Sequence, residues 1–194
     1  IPNALRTLIA APVYQILTAV GLYEFLLKIK DKKLMTEAVI ISLVLFIINF
    51  YMFSTNLYNL YPIRYSKDWQ YGNKQVVTYI KENQDKYDLV TFTRHYGEPH
   101  MFTLFYLKYD PAKFQNSPNL DRFETFDWVR VLRFDKYYFP DLGDKGTQYQ
   151  DVINANPEKK ILFIGKPGDF PVYIPRLLTV NFLNGDVAFE VVEK

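Results

Sequence analysis

An apolar run near the amino end constrains this chain more than any other feature. From Ala38 to Phe53 the sequence reads AVIISLVLFIINFYMF, with only Ser42 and Asn49 strongly polar. Continued through Leu57, the run reaches the roughly 20 residues that a helix needs to cross a bilayer. We therefore expect a transmembrane helix here.

A second apolar stretch, Leu5–Leu27, has a comparable length but is interrupted by Arg6, Pro12, Gln15, Gly21 and Glu24. Neighbouring helices could accommodate such groups inside a membrane. The alternatives are a signal peptide and an amphipathic interfacial helix, although the basic start and the small-residue cleavage site of a signal peptide are absent. We expect two transmembrane α-helices within residues 1 to 60.

A short basic loop between the two spans predicts their orientation. Residues 28 to 36 begin with Lys-Ile-Lys-Asp-Lys-Lys, and short positively charged loops stay in the cytoplasm. Residues 61 to 194 then form an extracytoplasmic domain, and the protein is integral to the cell membrane. Aromatic residues after the second span suit the membrane interface, although core packing is an open alternative for the last two: Tyr58, Tyr61, Tyr65 and Trp69.

Composition excludes several classes of function. The chain has no cysteine, so disulfides, thiolate nucleophiles and cysteine-based metal sites are excluded. Residues 61 to 194 carry 18 Lys/Arg and 18 Asp/Glu. Nucleic-acid binding leaves a basic excess, because phosphate neutralisation supplies most of the affinity. We expect no nucleic-acid partner.

The pattern of residues 61 to 194 predicts an α/β domain with a mixed sheet and at least two flanking helices. Helical spacing covers residues 71–84, and a second helix follows Pro99. Strand patterns cover residues 87–93, 123–134, 160–165, 176–182 and 187–192, with Asn184-Gly185 as a hairpin turn. Residues Phe126 and Trp128 belong to the second of these predicted strands.

The loop after the first predicted strand is the candidate ligand site. It contains Arg94, His95, Tyr96 and Glu98, and open α/β sheets bind ligands at the carboxyl ends of strands. A solvated loop that caps the next helix is the alternative. The spacing of His95, Glu98 and His100 matches no known zinc site, so we expect ordinary hydrogen bonds and no metal. Residues 165–168 lack a phosphate-loop pattern and are expected to form a turn.

Three stretches resemble polytopic glycosyltransferases of the GT-C superfamily, especially bacterial relatives of the dolichyl-phosphate-mannose protein mannosyltransferases. They are Ile1-Pro2-Asn3-Ala4-Leu5-Arg6, the passage from Tyr61 through Trp69 to Gly72, and Tyr87-Asp88 with Gly97-Glu98-Pro99 and residues 105–111. The resemblance implies a longer membrane enzyme that takes a sugar from a polyprenyl-phosphate carrier and delivers it to a glycan or protein acceptor. Its catalytic acidic residue would lie in an outer loop that this stretch lacks.

The resemblance gives roles to a few residues. Arg6, at an outer membrane boundary, is the candidate contact for the donor lipid phosphate, and a head-group anchor is the alternative. The loop residues Arg94, His95, Tyr96 and Glu98 are candidates for binding the sugar or peptide acceptor. We expect no cofactor in this stretch, and a divalent metal in the longer enzyme is left open. The competing hypothesis is a membrane-anchored binding or sensor domain without catalysis.

Overall fold

The computed structural model describes residues 10–124, 129–143 and 146–194. Two compact units divide the chain, the first ending at Tyr58 and the second covering Asn59–Lys194.

The first unit is helical. Helix α1 covers Ala11–Leu27 and helix α2 covers Lys32–Thr55. The Asp31 carboxylate begins α2 by accepting hydrogen bonds from the backbone N–H groups of Lys33, at 2.8 Å, and Leu34, at 3.4 Å. Lys32 and Lys33 therefore lie in the first helical turn, so the predicted loop 28–36 is shorter than expected. After Thr55 the chain continues as a π-helical turn, Asn56–Leu60, and helix α3, Tyr61–Arg64.

Among the described residues, the helix Lys32–Arg64 is the one that is long and apolar enough to cross a membrane. Its two polar residues in the apolar run hydrogen-bond to their own helix: the Ser42 hydroxyl to the Ala38 carbonyl at 2.8 Å, and the Asn49 amide to the Leu45 carbonyl at 3.0 Å. Such bonds remove the main cost of polar groups in hydrocarbon. Within the described residues, helix α1 has 17 residues, which is the lower limit of about 17 for a helix that crosses a bilayer.

The second unit is built on one mixed sheet, in which the described residues supply seven strands in the order β2-β3-β4-β1-β5-β7-β6. The three central strands, β4, β1 and β5, are parallel, and the outer pairs are antiparallel. The bounds are β1 Leu89–Phe92, β2 Asp121–Glu124, β3 Val129–Phe134, β4 Tyr137–Tyr138, β5 Ile161–Gly165, β6 Leu178–Asn181 and β7 Val187–Glu193.

Helices cover both faces of this sheet. Helices α4, Asn73–Asn83, and α5, Pro99–Leu107, pack on one face, whereas α7, Tyr149–Ala155, packs on the other. A short helix, α6, covers Pro111–Gln115. Strand β5 is buried along its length, since alternate side chains enter the two cores. The predicted mixed sheet with flanking helices is confirmed.

Helix α4 shows why the pattern predicted it well. Its three fully buried residues, Val76, Val77 and Ile80, lie on one face, while polar side chains cover the rest. The observed helix and strands β1, β5, β6 and β7 agree with the predicted ranges to within about two residues at each end, the usual uncertainty of element boundaries.

The single strand predicted over Phe123–Phe134 is wrong. The chain forms two strands there, β2 and β3, which pair antiparallel with Glu124 opposite Val129. Apolar alternation continues through both arms of a hairpin, so it does not mark the reversal. Phe126, Asp127 and Trp128 lie outside the described residues.

Candidate functional site

The carboxyl ends of β4, β1 and β5 meet at one edge of the sheet. The Thr93 N–H donates to the Ile164 carbonyl of β5 at 2.9 Å, and the Arg94 N–H donates to the Pro140 carbonyl after β4 at 3.0 Å. The chain then diverges, because the helices that follow β1 and β4 cover opposite faces. Open α/β sheets bind ligands in the crevice that such divergence creates.

Arg94 is the most enclosed cation of this edge. Its side chain is 10% exposed, and its Nη2 lies 2.7 Å from Oδ2 of Asp141 in the loop after β4. The guanidinium also lies 4.8 Å from the centroid of the Phe123 ring. Its Nε and Nη1 are buried and have no hydrogen-bond partner among the described residues. Unpaired buried donors cost free energy, so this guanidinium is held in place at some expense to stability.

A second ion pair follows β5. The fully buried Asp169 carboxylate accepts hydrogen bonds from the Lys166 N–H at 2.8 Å and from its ammonium at 2.5 Å. Gly143, after β4, packs against this pair with a φ of +119°, and a Cβ there would stand 2.9 Å from Asp169 Oδ1. Glycine is therefore required for the close approach of the two loops.

His95 stands between these groups. Its ring contacts the Tyr96 ring, with centroids 4.7 Å apart, and the residue is exposed to solvent. Partial burial against the protein lowers the pKa of His95, and the Lys166 ammonium lowers it further, while Asp169 opposes the shift. The imidazole is therefore neutral at pH 7, and its two nitrogens can donate one hydrogen bond and accept another.

Tyr96 has a different environment from its neighbours in the loop. Its ring packs edge-on against Phe182, at 5.5 Å, and Phe189, at 5.2 Å, which belong to the end of the sheet formed by β6 and β7. Burial raises the pKa of the Tyr96 hydroxyl, and the Asp169 charge contributes to the rise. The ring fixes the loop to the core and does not offer an open stacking face to a ligand.

The same loop contacts the segment that follows helix α3. The Lys67 ammonium lies 6.0 Å from the centroid of the Tyr96 ring, and it also lowers the pKa of His95. Gly97, with a φ of +126°, lies so close to Gln70 that a Cβ would meet the Gln70 amide nitrogen at 2.5 Å. The candidate site is therefore held against residues that come directly after helix α3.

Glu98 points into a separate polar group. Its carboxylate lies 3.3 Å from Arg130 Nε and 3.3 Å from His100 Nδ1. Burial lowers the pKa of His100 to about 4, and the charge of Arg122 contributes. His100 is thus neutral at pH 7, so its contact with Glu98 is not an ion pair.

The predicted cluster is accordingly divided by the structure. Arg94 and His95 face the edge of the sheet, Tyr96 packs into the core, and Glu98 faces Arg130 and His100. Within the described ranges, no group of three or more histidine, aspartate or glutamate side chains is placed to hold a metal ion. His95 and His100 have different neighbours, which separates the two imidazoles that a metal site would combine.

The predicted membrane-interface residues are all exposed. Trp69 is 71% exposed and Tyr58 is 75% exposed, whereas Tyr61 and Tyr65 are 40% and 37% exposed. The core alternative for Tyr65 and Trp69 is therefore wrong. Arg6, the candidate phosphate contact, lies outside the described residues.

Sequence reasoning missed three residues of the edge: Asp141, Lys166 and Asp169. The available signal was that each follows a short buried strand. Using it requires knowing that β4 and β5 flank β1 in parallel, and the two residues of β4 are too few to predict.

Comparison of the chain with protein-family models, with curated proteins and with solved structures finds no significant match.

Proposed function

We propose that this chain is the carboxy-terminal part of a polytopic membrane glycosyltransferase, which transfers a sugar from a polyprenyl-phosphate donor to a glycan or protein acceptor. In this proposal the two apolar stretches, residues 5–27 and 38–57, cross the cell membrane. The α/β unit lies on the outer face and helps to position the acceptor. The resemblance of residues 1–6, 61–72, 87–88, 97–99 and 105–111 to GT-C enzymes supports the reaction class.

The observation that carries the proposal is the position of the loop Arg94–Glu98. It lies at the carboxyl edge of the parallel strands and contacts Lys67 and Gln70. Lys67 follows the last residue of α3, Arg64, by three residues, and an extended chain covers about 3.5 Å per residue, so about 10 Å at most separates them. An acceptor bound at this loop would thus lie near the point where the chain leaves the membrane, where a lipid-linked donor presents its sugar.

The charges of the edge support a neutral acceptor. Arg94 is paired with Asp141 and Lys166 with Asp169, so the two cations are largely balanced. Phosphate-rich ligands require unpaired positive charge, whereas sugar hydroxyls and peptide groups require donors and acceptors at fixed positions. Arg94, Asp141 and the neutral His95 provide both kinds of group.

The test is sugar transfer by membranes that contain the full-length enzyme of which this chain is proposed to be the carboxy-terminal part, with radiolabelled polyprenyl-phosphate sugars as donors. We expect His95→Ala to raise the acceptor KM about two- to tenfold, the value of one lost hydrogen bond, and to leave the donor KM unchanged. Lys159→Ala is the matched control, because Lys159 is exposed and precedes β5 at the opposite edge. Equal acceptor KM values for H95A and wild type would remove the loop from acceptor binding.

A binding or sensor domain without catalysis is the second candidate. It is favoured by the fact that Arg94, His95, Asp141 and Lys166 all belong to the unit Asn59–Lys194, which could bind a ligand alone. Absence of transfer by wild-type membranes across a panel of donors, together with glycan or peptide binding that H95A weakens, would favour this candidate over the enzyme.

A further inference from the structure

We propose that an aromatic cleft at the start of the second unit holds one acyl chain of a membrane phospholipid. The cleft has a volume of about 280 Å³ and is lined by Tyr61, Pro62, Ser66, Trp69, Tyr71 and Leu183. The proposal rests on the membrane span of the proposed function, and it adds a defined lipid site to a general preference of aromatic residues for the interface.

The polar atoms that line the cleft form hydrogen bonds within the protein, so the cleft presents an apolar surface. The Trp69 indole N–H donates to the Tyr61 hydroxyl oxygen at 3.2 Å, and the Ser66 hydroxyl donates to the Ile63 carbonyl at 3.1 Å. These polar atoms are thus satisfied by the protein, and the surface offered to an occupant is hydrocarbon and aromatic ring. Among the residues that the structure describes, no charged side chain lines the cleft. Contiguous exposed surface of this kind marks a site of interaction.

The cleft joins two distant parts of the chain. Leu183 lies in the turn between β6 and β7, next to Phe182, which is buried against the Tyr96 ring. Gly72, with a φ of +103°, approaches the side chains of Phe189 and Val180 so closely that a Cβ would lie about 3.2 Å from the Phe189 ring. The aromatic segment is therefore held on the sheet, and the cleft exists before any ligand binds.

A phospholipid suits the surroundings of this cleft. Tyr61 belongs to the apolar helix Lys32–Arg64, so the cleft begins within the last turn of the candidate span. Arg64 is exposed and makes no ion pair with the described residues, which leaves its guanidinium able to approach a phosphate group. Cations beside tyrosine and tryptophan match the head-group level of a bilayer, where acyl chains begin.

The proposal predicts that Trp69 contacts lipid hydrocarbon. The full chain is reconstituted in vesicles of equimolar phosphatidylcholine and phosphatidylglycerol, with Trp128→Phe so that Trp69 is the single tryptophan. Lipids brominated near the carbonyl end of the acyl chain should quench its fluorescence more than lipids brominated near the methyl end. In parallel, the quenching of wild type, which has both tryptophans, is compared with that of Trp69→Phe, which keeps only Trp128. The difference reports the quenching of Trp69 without relying on the Trp128→Phe variant.

The next comparison introduces a carboxylate at a leucine inside the cleft and at a matched leucine outside it. Leu183→Asp should lower the quenching of Trp69 about twofold or more, because a carboxylate opposes burial of hydrocarbon beside it. Leu177→Asp, at a similarly exposed leucine outside the lining, should leave the quenching unchanged.

Vesicle flotation separates the lipid site from the membrane span of the proposed function. A chain that does not float would overturn the membrane span of the proposed function, whereas a floating chain with unquenched Trp69 would overturn the lipid site alone.

Discussion

Burial gives the two histidines different importance at the scale of single residues. His100 is 6% exposed, and its ring centroid lies 6.3 Å from that of Phe139, whereas His95 is exposed to solvent. Burial lowers the pKa of His100 from its ordinary 6.5 to about 4, with a contribution from Arg122. The folded protein therefore binds a proton at this site less readily than the unfolded chain does.

The low pKa of His100 predicts a loss of stability in acid. The stability that depends on a neutral His100 is fully present above pH 6.5. It is lost as the pH falls from 6.5 towards 4, because the unfolded chain takes up the proton first. Between pH 6.5 and 4, we expect the free energy of unfolding of wild type to fall by about 2–3 kcal/mol more than that of His100→Gln. The measurement is equilibrium unfolding in guanidinium at several pH values, followed by near-ultraviolet circular dichroism in detergent.

His95→Gln is the control for this experiment. The pKa of His95 is lowered as well, but its ring is exposed, so its replacement should change the pH dependence by less. Parallel pH profiles for wild type and H100Q would contradict the assignment of this stability to His100.

The candidate site shows which residues a sequence can reveal. Arg94 and His95 were predicted because they directly follow a recognisable strand. Asp141 and Lys166 were missed because their role depends on the parallel pairing of β4 and β5 with β1, which the linear pattern does not contain. Tyr96 was predicted as a ligand contact, but its burial against Phe182 depends on the packing of a strand far along the chain.

At the scale of elements, helix α2 leads to a prediction about membrane insertion. Ile47 lies near the middle of the predicted span and is 56% exposed, with apolar neighbours on every side. An arginine at the centre of a span costs about 2.5–3.5 kcal/mol in insertion. We therefore expect Ile47→Arg to lower the fraction of chain that resists extraction by alkaline carbonate.

Thr55→Arg is the matched substitution for this test. Thr55 is the last residue of α2, where a long cationic side chain can reach the head groups. We expect T55R to remain in the membrane fraction. Equal extraction of wild type, I47R and T55R would show that this helix does not cross the bilayer.

Element length explains which parts of the fold were predicted. Helix α4 and strands β1, β5 and β7 each contain enough patterned residues for their period to be visible. Strand β4 has two residues and helix α7 has seven, so neither pattern stands out from a loop. The pattern of residues 123–134 predicts one strand in place of β2 and β3, because alternation does not reveal where a chain reverses.

At the scale of the whole molecule, the chain joins two kinds of surface. The described part of the first unit exposes its apolar side chains along both helices, whereas the second unit buries a double-sided core of its own. The sequence predicted this contrast, because the apolar run and the charge-balanced remainder are separate in composition. A unit with its own core is expected to fold alone.

We therefore predict that Asn59–Lys194, produced without the preceding helices, folds cooperatively but self-associates. Its Lys/Arg and Asp/Glu residues balance, and its aromatic cleft is exposed, and both features favour association in water. Size-exclusion chromatography with light scattering should show oligomers that a mild detergent converts to monomers, and Leu183→Asp should reduce association in the absence of detergent.

A single urea transition that all probes share would establish that the unit folds cooperatively. A broad transition without near-ultraviolet dichroism would mean that the unit needs its helices in order to fold, and a monomer without detergent would mean that the cleft is not an adhesive surface.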